Sequence, residues 1–489
     1  MTIARPQTTP SGTQAATSGE FRGLTGLRIV AAAWVVLFHF HFTPLPWVAE
    51  VTSALGPLVT SGALGVDLFF VLSGFVIAHT YLDRLGPALR VRAAARFVWA
   101  RAARIWPAYA VVFNLFGMWL VARLLLGSEK NVAFQSVQPE FSVKAWVEQL
   151  FMVQLWDKPF FDGASWVGAT WSISAEWLAY LLFPVAALLF FRLRRLPVGV
   201  LLLGAVALMA PIAWSYLSTG NPYYEWSWLI RILCGFGAGV LVQLAVRKLR
   251  WTSDLRRRAS VAAVAIPLLI AAGLVLGEFA GEGRGGVVIL LFPLLVGALA
   301  LADRGPAMLL SMPWAVAGGR LSYSLYLVHI PMFEMYWWAL RRFAWFGTHT
   351  MMAHLLGLAV LLSTIGVAAV LHRMVEEPAQ TALRQVHLPR FHRSAPVTVS
   401  PPEPRSAADA MTPAAMTAAA SAADPVAAVH AHRAELLTEP RHAVSAQRRS
   451  TLASVLVNAQ RRRPTHRADL MADLERAEYV RAGYLHAGS

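Results

Sequence analysis

Arg28 and His39 stand eleven residues apart in TGLRIVAAAWVVLFHF, residues 25–40, a run that is otherwise almost wholly apolar. Eleven residues at about 100° each return to within roughly 20° of the same helix face and rise about 16 Å. One helix would then carry a guanidinium near one membrane surface and an imidazole deep inside. A neutral imidazole can take up a proton at physiological pH, and a guanidinium grips phosphate with a planar fork. Three other places repeat the theme. Arg101 and Arg104, spaced i to i+3 in RAARIWPAY, project from one helix face. Asp67 in GALGVDLFFVLSGF and Glu176 in ATWSISAEWLAYLLFP are carboxylates within apolar runs, and His329 sits in GGRLSYSLYLVHIPM. Ionisable groups inside membrane spans are costly and mark partners or cavities.

Counting helix rise puts His39, Asp67 and Glu176 at similar depth, roughly 8–13 Å below the outer surface. A carboxylate beside His39 would fix its tautomer and stabilise the imidazolium, so Asp67 or Glu176 is expected to orient it. Arg28, Arg101 and Arg104 fall at the opposite mouth, with His329 between. A phosphate grip on one side and a proton acceptor towards the other describe group transfer across a membrane. A coenzyme A thioester fits, its phosphates staying outside the bilayer while its narrow pantetheine arm reaches inward. Simpler roles stand beside these: topology signals for the two arginines, a cap for Asp67, a helix tie for Glu176, a hydrogen bond to a neighbouring helix for His329. Trp156, Trp166 and Trp171 read as an interfacial belt.

The elements that must position these residues are membrane helices. The 489 residues are 57% hydrophobic and only 14% charged, the composition of an all-α, polytopic membrane protein. About ten spans are expected, near 26–45, 60–82, 105–126, 168–191, 196–216, 226–246, 259–278, 286–303, 321–340 and 351–372. Arginines cluster after the second, fourth and sixth spans, which makes that side and both termini cytoplasmic by the positive-inside rule. Arg341 and Arg342 depart from this pattern. The net charge of +16 therefore sets orientation and does not point to nucleic acid. No cleaved signal is expected, the one cysteine, Cys234, rules out an internal disulfide framework, and no metal-ligand spacing occurs. The expected domains are a disordered segment 1–20, a membrane domain 21–385, and a low-complexity cytoplasmic tail 386–489, largely disordered. Two basic stretches in that tail, 450–463 and 467–484, could form short helices touching anionic lipid.

In their order along the chain, these motifs resemble the membrane acyltransferase-3 family, the integral membrane O-acyltransferases of the glycan- and macrolide-acylating type. LTGLRIVAAAWVVLFHF looks like the family's first helix, GVDLFFVLSGFVI its second-helix motif, RAARIWPAY its Arg-x-x-Arg motif, and WSISAEWLAYLLFP its Trp-Ser-x-x-x-Glu stretch. LSYSLYLVHIPM resembles a late Tyr and His motif and VEEP the closing Glu-x-Pro. The resemblance implies transfer of an acyl group, often acetyl, from cytoplasmic acyl-CoA to a hydroxyl of a sugar, a cell-envelope glycan or a secondary metabolite. It implies His39 as base, with Arg28, Arg101, Arg104 and Ser73 on the donor, and Tyr323, Tyr326 and His329 as further site residues. No bound cofactor is implied beyond acyl-CoA as substrate. Thr25 and Glu377 depart from the common pattern, and no fused extracytoplasmic hydrolase-like domain is expected. A transporter or flippase of a polar lipid or glycan is the alternative, but the internal repeats and broken helices usual there are not evident.

Overall fold

Apolar runs bounded by Arg, Gly and Pro punctuation become helices, and in a computed structural model the described residues, 21–127 and 131–385, contain no strand. The crossing helices are α1 (Arg22–Phe40), α2 (Leu64–Leu85), α3 (Val91–Leu126), α4 (Trp171–Leu193), α5 (Val198–Thr219), α6 (Ser227–Val246) and α7 (Ser253–Ala280). There follow α8 (Phe292–Leu301, continuing a 3₁₀ segment Arg284–Leu291), α9 (Pro313–Arg342) and α10 (Met351–Leu371). A π turn, His372–Glu376, leads into the polar α11 (Glu377–Gln385). Local chemistry sets several ends. Thr252 and Thr350 cap α7 and α10 by accepting backbone N–H bonds, Pro313 opens α9, and α5 stops at the left-handed Gly220.

Nine helices among the described residues are long and apolar enough to cross a membrane. The expected tenth, α9, is more polar, yet its 30 residues extend about 45 Å. Its pairing with α1 shows that it crosses too. Arg28 meets Ser322, His39 meets His329, and Trp337 donates to Thr43, so α1 and α9 run side by side in the same direction, as a first and a ninth span must. The pair α2–α6 does likewise, through Asp67–Arg231 and Asp83–Arg247. The chain is therefore a multi-pass, all-helical membrane protein.

Small residues allow these backbones to approach. A Cβ on Gly319 would lie 1.8 Å from the Thr25 carbonyl oxygen, and one on Gly239 would lie 2.0 Å from that of Val71. One expected boundary changes. α3 begins fourteen residues before the expected 105, so Arg101 and Arg104 lie inside the helix rather than ahead of it. The stretch 131–170 does not simply skirt the surface. Hydrogen bonds from Gln135 to Ser165, Trp166 to Gln149, and the Trp166 ring to Glu140 hold it as a folded cap. Trp166 is buried against Gly117 and the Trp156 ring donates to Ser174. These tryptophans pack against other parts of the protein. The segments 1–20 and 386–489, with the two basic stretches expected in the tail, lie outside the described residues.

Candidate active site

Polar side chains collect along α1, α9 and their neighbours in two groups. The first surrounds Arg28. Arg104, from α3, forms an ion pair with Glu376 in the π turn, and Glu376 also accepts from Ser324 on α9 at 2.6 Å. The extra residue of a π turn rotates Glu376 inward, and such turns recur at functional sites. Arg101 donates to Tyr81 at 3.1 Å with its guanidinium over that ring, while its buried Nε meets no acceptor among the described residues. Arg28 approaches Ser322 at 3.5 Å and lies over Phe69, within reach of the charges of Arg104, Glu176 and Glu376. Glu176 accepts from Ser73 and, at 2.5 Å, from Tyr180. Tyr323 donates to the Ile105 carbonyl at 2.6 Å, one residue from Arg104. Arg28 and Arg104 thus sit beside two committed carboxylates, with Arg101 within reach of Tyr180 next to Glu176.

The second group surrounds His39. Its Nδ1 lies 2.9 Å from the Val35 carbonyl oxygen and 3.2 Å from His329 Nε2. The tautomer that satisfies both carries its proton on Nδ1 and leaves Nε2 with a free lone pair. His329 is wholly buried, and Tyr326 beneath it bonds Ser172 and the Ala169 carbonyl. His39 lines a small, partly open cavity. Ile330, Glu334 and Trp337 supply one wall at i, i+4 and i+7 of α9. Phe134, Phe161 and Asp162 of the folded cap, with Ala169 and Trp171 at the start of α4, supply the others.

Two expectations fail. Asp67 does not orient His39. Its two oxygens are taken by Arg231 of α6 at 2.9 and 2.8 Å, in a pair almost without solvent exposure. Gly65 faces α1, and a residue two positions on points about 200° away, which turns Asp67 towards α6. Glu176 does not reach His39 either. α4 begins at the cavity floor, beside Ala169, not at the outer surface, so Glu176 lies about 10 Å farther along, among the arginines. The residue that meets His39 is His329. Sequence reasoning also passed over Arg231 and Glu376. An arginine in the middle of SWLIRILCGF and the first glutamate of VEEP were the available signals.

The family described as "Acyltransferase domain", acyltransferase-3, matches residues 21–373. The chain is 28% identical to acyltransferase MdmB of Streptomyces mycarofaciens over 386 residues, 74% of this chain and 92% of that protein. It is 36% identical to protein 2 in the picA locus of Rhizobium radiobacter over 21% of this chain and 48% of that one. It is 28% identical to YrhL of Bacillus subtilis (strain 168), provisionally named a peptidoglycan O-acetyltransferase, over 33% of this chain and 23% of that one. No solved structure matches the chain. With the match running from the first residues of α1 into the π turn that holds Glu376, the chain belongs to the acyltransferase-3 family.

Proposed function

We propose that the protein moves an acyl group, acetyl in the simplest case, from cytoplasmic acyl-CoA to a hydroxyl of a sugar, glycan or metabolite on the opposite side of the membrane. The observation that carries this reading is the pairing of His39, which lines an open cavity, with His329, about 16 Å along α1 from Arg28 and the charges around it. Arg28, Arg101 and Arg104 would hold the donor phosphates, and the axis beside α1 would guide the pantetheine arm. Ser73, Glu176 and Tyr323 would fix the walls and the arginines of that site. Tyr326 would brace the turn of α9 below His329.

The chemistry then follows. The acceptor hydroxyl gives its proton to His39 Nε2 as its oxygen attacks the thioester carbonyl. The tetrahedral intermediate collapses, the C–S bond breaks, and the departing thiolate takes the proton back from the imidazolium. The Nδ1–H of that imidazolium is shared between the Val35 carbonyl and His329 Nε2, two neutral acceptors in place of a carboxylate. Positioned base catalysis of this kind contributes roughly 10² to 10⁴-fold. Direct attack requires both substrates to be bound before acyl release. Purified protein in proteoliposomes with labelled acetyl-CoA should give intersecting initial-rate plots and an O-acyl product. Parallel plots with a labelled enzyme intermediate would replace the direct route by an acyl-histidine, and absence of any transfer from acyl-CoA would refute the donor.

A further inference from the structure

Glu334 is a buried carboxylate that the steps above leave unused. It is 1% exposed, on α9, and lines the same cavity as His39. Its Oε2 accepts from the backbone N–H of Phe134 in the folded cap at 3.2 Å. Among the described residues its Oε1 has no donor, and no cation forms an ion pair with it. The cations that act on it, Arg123 and Arg341, bond the Val132 carbonyl and lie over the Phe134 ring. The other carboxylate of the cavity, Asp162, is engaged by Ser136 and the Val137 N–H. As a lining residue, Glu334 can present its Oε1 to the cavity, where a ligand's donor can reach it. Such a group in a membrane protein marks a ligand or pathway.

We propose that Glu334 positions the acceptor, its Oε1 accepting a hydrogen bond from a second hydroxyl beside the one that His39 deprotonates. This rests on the acyl-acceptor reading above and narrows it: the acceptor carries at least two neighbouring hydroxyls on a ring with a flat apolar face. The walls argue for that class. Phe161 is stacked on Trp171 with centroids 4.8 Å apart, and Phe134 packs on Trp337 at 5.1 Å, giving aromatic surface for C–H faces with few polar groups among it. Pockets that are mostly apolar with a small number of fixed polar atoms orient a ligand through those atoms.

The test is Glu334→Gln. Its amide oxygen can keep the bond from Phe134, so the cap stays anchored, but an NH₂ donor then faces the cavity in place of Oε1. Binding to full-length protein in nanodiscs is read by ligand-observed NMR with methyl glycosides and their monodeoxy analogues. In the wild type, one deoxy analogue should bind about tenfold more weakly than its parent. In Glu334→Gln the parent should bind about tenfold more weakly, and that analogue no worse than the parent, the mark of a coupled pair. Equal binding of the parent by both proteins, or losses that multiply for every analogue, would make Glu334 a cap anchor only and overturn the proposal. So would a wild type that binds no glycoside. Coupled binding without transfer from acetyl-CoA would uphold Glu334 and refute the donor reading instead.

Discussion

The Arg28 end and the His39 end of the α1–α9 axis follow opposite plans. Around Arg28 the carboxylates are committed: Glu376 to Arg104 and Ser324, Glu176 to Ser73 and Tyr180. Around His39 there is an open cavity with aromatic walls, and Glu334 there bonds only the Phe134 N–H, through one of its two oxygens, among the described residues. The first end is an electrostatic framework, complete but for buried donors such as Arg101 Nε. The second is less filled, and on the proposed reading it is where an uncharged acceptor would arrive, react and leave. On the proposed reading, charge would hold the donor and shape would select the acceptor.

Removing the imidazole breaks the open end most severely. His39→Ala should lower transfer by roughly 10² to 10⁴-fold, measured with purified, folded protein, while donor binding is kept. Substantial turnover by that variant would move the chemistry elsewhere. The next effect should be on folding. Asp67→Ala leaves Arg231 buried and unpaired, at a cost of about 3–5 kcal/mol, read as a lower unfolding midpoint in detergent. Asp67→Leu combined with Arg231→Met should recover most of it. A stable but inactive Asp67→Ala would return Asp67 to the reaction and blur the contrast.

Smaller changes sharpen it. Arg101→Ala with Arg104→Ala should weaken acyl-CoA binding by about tenfold to a hundredfold, as loss of charged hydrogen bonds implies, and leave acceptor binding unchanged. Lysines should restore part of it, since an ammonium lacks the planar fork. Unchanged donor binding would make both arginines topology signals. The smallest effect is expected at His41, which lies about 200° around from His39 and packs on Phe38 and Phe42. His41→Ala should keep nearly full activity, and a large loss there would reverse the choice of face.

The helical architecture was legible because hydropathy reports it directly, and the α1 face was legible because a single helix has a fixed pitch. The shared helix of Arg28 and His39 was therefore legible, since both lie within α1. Facing between helices was not. Asp67 shares His39's half of the bundle but points to α6, and nothing in GVDLFF distinguishes the two sides. Glu176 was misplaced because its depth was counted from the membrane surface, whereas the folded cap lets α4 begin at the cavity floor. His329 was visible as a residue but not as the partner of His39, since that pairing depends on the register of two helices some 290 positions apart.

That register has a pivot. At Gly319 the α9 backbone is so close to α1 that a methyl group there would force the helices apart by more than 1 Å. His329 stands ten residues along, about 15 Å away. The two helices behave as the arms of tongs, riveted near Thr25 and gripping at the histidines. A displacement at the rivet too small to disturb insertion is carried along a stiff arm to a 3.2 Å contact that tolerates little change. Glycine at that position thereby sets the gauge of a histidine pair with which it has no contact.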